Sequence, residues 1–263
     1  MSSRARMLTI LDFFNEEEPA WTAEDILRRL GCSRPTAYRY VKELCGAGLL
    51  LRLSGGLYVV GPRILELERL IQLSNPLVGV ARPIMRDLVH RSGGDVLLAN
   101  VYGDQVMIVH REHGPDPVAI SYDRGRPHPM FRGATSKAVL PYLNRSQLVR
   151  IYEAHPEECR EAGLGGSWKE LLSALAIIRR DGYVVGKGEL DEHVMGLAAP
   201  IFTDEKRVLG TLTLIMAKRK YELMNHKRLL ELVLESSDRM TSGLSGLALA
   251  RITFRADHAR GSH

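Results

Sequence analysis

No uninterrupted apolar run approaches the ~20 residues of a membrane-spanning helix, so no membrane partner is expected. Residues 1–8, MSSRARML, lack the apolar stretch and small-residue cleavage site of a secretory leader. Cysteine is scarce: Cys32, Cys45 and Cys159 form no CxxC pair and no even framework, which points to a reducing cytoplasm. Nucleotide and hydrolase signatures are missing too. Residues 182–188, GYVVGKG, have glycines and a lysine without P-loop spacing. Residues 243–246, GLSG, fall one residue short of a nucleophile elbow and lie in a helical pattern. His110, His113 and His128 are close in sequence, yet no cysteine or carboxylate completes a ligand set, so no metal is expected. Cys159 near His155 lacks an orienting third group. With no nucleophile, base and oxyanion site to assemble, neither a catalytic residue nor a cofactor is expected.

What is present is an ordinary globular composition, 45% hydrophobic and 25% charged, long enough at 263 residues for two domains. The net charge of +5 is mild, but its placement is informative. Between Arg28 and Arg63 there are seven basic residues and one acid, Glu43, whereas residues 12–25 hold six acids and no base. An aimed surface would produce this contrast, and so would a solvated charged face.

Met7, Leu8, Ile10, Leu11 and Phe14 follow a helical stripe ending in a polar turn at 15–19. A second helix starts at Thr22, with Asp25 as the partner of a variant capping box, and Gly31 stops it. After a turn of three residues, Ser33 is the expected N-cap of a third helix over roughly 34–45, with Pro35 in its first turn. Ala37, Val41 and Leu44 face inward at i, i+4 and i+7, leaving Arg34, Thr36, Tyr38, Arg39 and Lys42 outward. Residues 49–60 read as two short strands around Ser54, Gly55 and Gly56. This order defines a winged helix-turn-helix, in which Arg34, Thr36, Tyr38 and Arg39 would contact bases in the major groove. Ser33, Lys42 and Arg52 would contact phosphates. A three-helix bundle with a solvated face and a protein-docking winged helix are the alternatives.

Over these residues the chain resembles the IclR family of bacterial regulators. The resemblance rests on residues 30–40, LGCSRPTAYRY, and 56–67, GLYVVGPRILEL, where the family has a similar recognition helix and a linker like LGPRLLEL. Further on, residues 129–138, PMFRGATSKA, are similar to the family's PLHATALGKA. Residues 178–183, IRRDGY, with Glu189, Ala198 to Pro200 and Val208 to Leu212, form a third match. The resemblance implies an allosteric transcription regulator, repressor or activator, that binds double-stranded operator DNA as a homodimer or tetramer. It adds a small-molecule effector, and RNA polymerase as a further partner. The implied organisation is a winged helix-turn-helix over 1–61, a linker helix over 62–75, a GAF-like effector domain over 76–250 and a disordered tail over 251–263. Ile64, Leu65, Leu67, Leu70 and Ile71 make an apolar stripe on the linker, fit for a second chain or for packing on its own domain.

Beyond residue 76 the pattern reads as an α+β domain with an antiparallel sheet. Helices are expected near 77–92, 133–143, 146–154, 167–181 and 225–247. Strands are expected at 95–102, 105–110, 118–122, 182–185, 194–201 and 208–216. By matching positions, the family resemblance implies an effector pocket of Phe131, Ala134, Thr135, Gly186, Val194, Gly196, Thr213 and Ile215. The alternative is that these are ordinary core residues. Glycines at 186 and 196 suggest a roomy apolar pocket for a larger, hydrophobic or aromatic effector, an aromatic acid being held at the N-terminus of the helix starting at 133. An enzyme or interaction scaffold carrying a winged helix remains the rival class.

Overall fold

The computed structural model describes residues 3–245, and the chain divides into two compact units between Asn75 and Pro76. The expected last turn of the C-terminal helix, to 247, and the tail over 251–263 lie outside the described residues.

In the first unit, α1 (Ser3–Leu8) tightens into a 3-10 turn over Thr9–Phe13. A two-residue strand, β1 (Trp21–Thr22), leads into α2 (Ala23–Leu30), and α3 (Arg34–Gly46) follows. Then come β2 (Leu50–Arg52), β3 (Leu57–Val60) and α4 (Pro62–Ser74). The strands form an antiparallel sheet in the order β1-β3-β2, with Trp21 opposite Tyr58 and Leu50 opposite Val60. Ile10, Ile26, Val41, Leu44 and Tyr58 share one core. Leu8, expected on the inward stripe, is exposed instead, because the change to three-residue winding after it turns Ile10 into the core. Strand β1 was not expected, as two residues carry no alternation to read.

Local chemistry explains the turn between the two helices. Thr22 Oγ1 accepts a hydrogen bond from Asp25 N at 3.1 Å, while its own hydroxyl donates to Asp25 Oδ2 at 2.6 Å. The box is therefore closed through the hydroxyl rather than the Thr22 backbone N–H. Gly31 ends α2 with φ +58°, a conformation that costs a residue with a Cβ. Arg6 donates to the carbonyls of Leu30 and Gly31, meeting acceptors left open at the helix end. Ser33 occupies the N-cap position of α3 but makes no capping bond, since its hydroxyl pairs with Thr36 Oγ1 at 2.9 Å. At the wing's exit, a Cβ on Gly61 would land on the Gly48 carbonyl, so only glycine lets the strand turn into α4.

The second unit opens with α5 (Pro76–Ser92), which runs through Pro83, and the hairpin β4 (Asp95–Tyr102) and β5 (Gln105–Glu112). A loop leads to β6 (Pro127–His128), α6 (Ala134–Lys137) and a 3-10 turn at Leu140–Tyr142. Next come α7 (Arg145–Ala154), α8 (Pro156–Glu161), α9 (Trp168–Asp181) and β7 (Val184–Lys187). The order ends with β8 (Val194–Phe202), β9 (Val208–Ala217), α10 (Lys218–Glu222) and α11 (His226–Gly243). The six strands pair antiparallel in the order β6-β5-β4-β9-β8-β7. This is the expected α+β class with an antiparallel sheet.

Alternation along the strands sends successive side chains to opposite faces. Val96, Leu98, Leu197, Leu212 and Leu214 pack with α5 and α11, whereas Leu97, Val194 and Ile215 join the core that includes Phe131, Leu171 and Leu175. Both faces are covered, which is why β8 and β9 read as nearly unbroken apolar runs.

Two expected elements are absent in their predicted form. Residues 118–122 are not a strand, because side chains take their backbone groups first: Val118 N donates to Asp95 Oδ2 at 3.1 Å, and Arg111 Nη2 donates to Val118 O at 2.6 Å. The helix expected over 133–143 breaks into α6 and the 3-10 turn, since Pro141 has no N–H to continue the ladder. Helices α8 and α10, each short, were not expected.

Candidate functional site

Helix α3 buries Ala37, Tyr40, Val41 and Leu44, and Tyr40 is fixed further by a 2.7 Å hydrogen bond with Ser3 Oγ. Its opposite side presents Arg34, Tyr38 and Lys42 as a row at i, i+4 and i+8, with exposed Arg39 beside it. Thr36 is half-buried at the flank, joined to exposed Ser33. Arg52 stands on β2 with its guanidinium 6.0 Å from the Tyr58 ring. Six of the seven sequence-predicted contact residues thus lie on α3 and its cap, and the seventh on the wing.

Sequence reasoning missed the part of Glu24. From α2, its Oε1 accepts from the Tyr38 hydroxyl at 2.8 Å and from Arg34 Nη2 at 3.3 Å. The Arg34 guanidinium lies 5.6 Å from the Tyr38 ring. The Tyr38 hydrogen bond, aided by the Arg34 charge, holds the Glu24 carboxyl below the usual carboxylate range. An acid read only as part of an acidic stretch therefore orients two of the outward residues. The signal available was its position in the first turn of α2, which packs on α3.

In the second unit a cavity of about 60 Å³ lies between the sheet and the segments carrying β6 and α6. Ala134, Thr135, Gly186, Val194, Gly196, Thr213 and Ile215 line it. Phe131 does not; it is fully buried in the core behind, its backbone N–H donating to Glu158 Oε1 at 2.9 Å. Leu97, Ile120, Tyr122, His128, Glu189, Leu190 and Asp191 also line it, with Gly133 and Gly188, and were not anticipated there. Leu97 comes from β4 and His128 from β6, while Ile120, Tyr122, Glu189, Leu190 and Asp191 arrive through the irregular loop after β5 and the turn after β7, where sequence periodicity gives no guide.

The two glycines do not open the expected large space. A Cβ on Gly186 would stand 3.0 Å from Ala134 N and 3.2 Å from Ala134 Cβ, so the missing side chain is replaced by the close approach of α6. Gly196 is less crowded, its nearest neighbours being Ala134 Cβ at 3.6 Å, Ile215 at 3.7 Å and Thr213 at 3.8 Å. The expected helix-end anchor at 133 is also taken: Gly133 N donates to Glu189 Oε2 at 3.0 Å, and α6 is a single turn. Glu189 Oε2 further accepts from Lys137 Nζ at 2.6 Å. Asp191 accepts from the backbone and hydroxyl of Ser121. Thr135 and Thr213 hydroxyls meet at 3.0 Å.

His128 shows the strongest electrostatic effect. Burial in the cavity wall pushes its imidazole down to about 4, against the opposing pull of Asp191 and of a hydrogen bond to the Tyr122 backbone. Its ring is 5.4 Å from that of Tyr122. Of the other histidines considered for metal, His110 pairs with Glu112 Oε1 at 2.9 Å. Among the described residues no three potential ligands converge. Cys159 is buried, its thiol directed at the Gly165 carbonyl at 3.6 Å. No described helix is long and apolar enough to cross a membrane.

A winged helix-turn-helix joined to an α+β unit with a cavity against its sheet defines a DNA-binding regulator with a sensory half. Residues 3–54 match the IclR helix-turn-helix domain, and residues 72–242 match the bacterial transcriptional regulator IclR C-terminal domain. The chain belongs to the IclR family of transcriptional regulators. It is 27% identical over 216 residues to the HTH-type transcriptional regulator XynR of Escherichia coli, covering 81% of this chain and 85% of that one. The solved IclR family transcriptional regulator of Brucella abortus shares its fold with a TM-score of 0.75, at 20% identity and 92% coverage of each chain. An IclR homolog of Microbacterium hydrocarbonoxydans, complexed with 4-hydroxybenzoate, aligns with a TM-score of 0.71 at 23% identity, covering 92% of this chain and 99% of that one. The family is one of regulators rather than enzymes, and its two domains imply DNA binding and small-molecule binding.

Proposed function

We propose that the protein controls a metabolic operon by binding an operator through α3, with a small organic effector in the second unit setting its affinity. Arg34, Thr36, Tyr38 and Arg39 contact base edges in the major groove, and Ser33, Lys42 and Arg52 contact phosphates. The observation that carries this reading is the outward row Arg34, Tyr38 and Lys42 with Arg39 beside it, two members of which Glu24 holds in place before DNA arrives.

In this reading residues 1–61 form the reading head, 62–75 the linker and 76–250 the sensor. The linker supports assembly into a homodimer or tetramer: within its own unit α4 leaves Ile64, Leu65, Leu67, Leu70 and Ile71 exposed. Paired heads call for an imperfect palindrome, and a contact with RNA polymerase would let the bound protein activate as well as repress. A cytoplasmic location fits such a regulator.

The cavity favours a compact and mostly apolar effector, because Leu97, Ile120, Ala134, Leu190, Val194 and Ile215 give its wall an apolar character. The 4-hydroxybenzoate complex of the Microbacterium hydrocarbonoxydans homolog supports a small organic molecule in this fold. At about 60 Å³ the space is well below the roughly 150 Å³ that accommodates benzene in an engineered cavity, so a ring would enter with movement of one wall. A gel shift with the DNA upstream of the protein's own gene tests the reading. A specific complex supports it; retention of random DNA alone counts against it.

A further inference from the structure

A second hollow in the α+β unit has the opposite chemistry to the cavity against the sheet. It is a groove of about 410 Å³ formed by α7, α9 and the 3-10 turn that precedes α7. It shares no residue with that cavity and does not rest on the effector reading above. Leu143, Leu148, Leu172, Leu175 and the Trp168 indole give it an apolar lining. Leu148 and Leu175 are buried in its floor, whereas Leu172 is 44% exposed at its side.

Two arginines complete the lining, and no acid does. Arg145 opens α7 and Arg179 stands in the last turn of α9, both exposed. Among the described residues neither has an ion pair or a side-chain hydrogen bond. The arginines next to them are engaged: Arg150 pairs with Asp104 at 2.8 Å, and Arg180 with Asp181 at 2.8 Å. Packed rings back the groove's polar and aromatic parts. The Arg179 guanidinium lies 5.4 Å from the Tyr142 ring, which itself meets Phe202 edge-on at 4.9 Å. Trp168 meets Tyr152 edge-on at 5.5 Å. Side chains already held in this way lose less freedom when a ligand arrives.

Uncompensated guanidiniums beside an apolar lining complement an anion attached to an apolar body. A bare anion would leave the lining wet, and a neutral hydrocarbon would leave the charges unmet. The two hollows therefore sort ligands by charge: an entering carboxylate meets Glu189 and Asp191 at the first and two guanidiniums at the second.

We infer that the groove is a second ligand site, taking an organic acid whose carboxylate is held by Arg145 and Arg179 and whose apolar body lies on Trp168 and Leu172. The class is that of alkyl and aryl carboxylates larger than a single ring, since the space exceeds the roughly 150 Å³ that accommodates benzene.

The test uses the full-length chain with Trp21→Phe, which leaves Trp168 as its one tryptophan and fluorescent reporter. It is titrated with octanoate and with 4-phenylbutanoate, each beside the matching alcohol. At low salt at least one acid is expected to change Trp168 emission and to bind about tenfold more tightly than its alcohol, an advantage that shrinks as salt rises. The acid that binds better separates an aliphatic from an aromatic ligand, and inorganic phosphate should displace neither. The double variant Arg145→Gln, Arg179→Gln should weaken the acid about tenfold and leave the alcohol unchanged, whereas a purely structural role would weaken both alike. Leu172→Asp, a change at an exposed position, should weaken acid and alcohol together.

Unchanged Trp168 emission with both acids, equal binding of acid and alcohol, or an acid advantage that survives the double substitution overturns the inference. Loss of self-association in Leu172→Asp without acid binding would assign the groove to a second copy of the chain and overturn it as well. Operator binding by the unsubstituted chain is measured separately, and its absence bears on the DNA reading alone.

Discussion

Gly186 on β7 and Gly196 on β8 stand directly opposite each other in the sheet, and Ala134 of α6 rests on both. The pair lets a one-turn helix approach the strands where side chains would hold it off. At 186 the nearest atom to an added Cβ is the Ala134 backbone nitrogen, which cannot move without its segment. Gly186→Ala should therefore destabilise the unit by about 1–3 kcal/mol, as overpacking does, while Gly196→Ala should cost much less. Urea unfolding of the two variants checks the contrast, and equal losses would contradict it.

Asp95 holds the loop that brings Ile120 and Tyr122 to the cavity. Its carboxylate accepts from Arg111 Nη2 at 2.6 Å, Gly114 N at 2.6 Å and Val118 N at 3.1 Å. Asp95→Ala leaves the Arg111 charge buried and is expected to cost about 3–5 kcal/mol. Asp123→Ala, which removes the more exposed partner of the same arginine, should cost under about 1 kcal/mol. Chemical denaturation measures both.

The burial of His128 also sets a pH dependence. Its folded pKa of about 4 lies below the ordinary 6.5, so the unfolded chain binds the proton more readily. The neutral ring's contribution is whole above about 6.5 and is lost as pH falls towards about 4, amounting to about 3 kcal/mol. Tyr122 and Asp191, which face the ring, oppose this shift without cancelling it. His128→Phe should flatten that part of the stability curve between pH 7 and 4. An unchanged slope would show that the ring is not neutral in the fold.

On the DNA side, Arg39→Ala should weaken specific binding by roughly 1–3 kcal/mol, and Lys42→Ala should mainly lower the salt slope by about one unit. Glu24→Ala frees Tyr38 and Arg34 from their shared acceptor and should reduce discrimination more than it reduces affinity on random sequence. Fluorescence anisotropy over a salt series, with specific and random duplexes, separates the three.

Much of the fold was legible because local chemistry repeats it. Glycine at 31, the inward triad of Ala37, Val41 and Leu44, and the turn at 54–56 each carry one structural meaning. The loop after β5 was not legible, since Val118 looks like a strand residue but is captured by Asp95 and Arg111, partners distant in sequence. The cavity was partly legible: the glycines marked a special place, but whether they open space or admit a helix depends on where α6 lies. His128, Glu189 and Asp191 carried no periodic signal: Glu189 and Asp191 follow Gly186 in the turn after β7, whereas His128 is brought there by topology alone.

The most direct test of the central claim is the affinity of the full-length protein for the DNA upstream of its own gene, compared with random duplex at physiological salt. The account predicts binding to the upstream DNA at least a thousandfold tighter, of the order expected for specific recognition, and loss of that preference in Arg34→Ala, Arg39→Ala double variants. Equal affinity for both duplexes, or a preference that survives the double substitution, would contradict it.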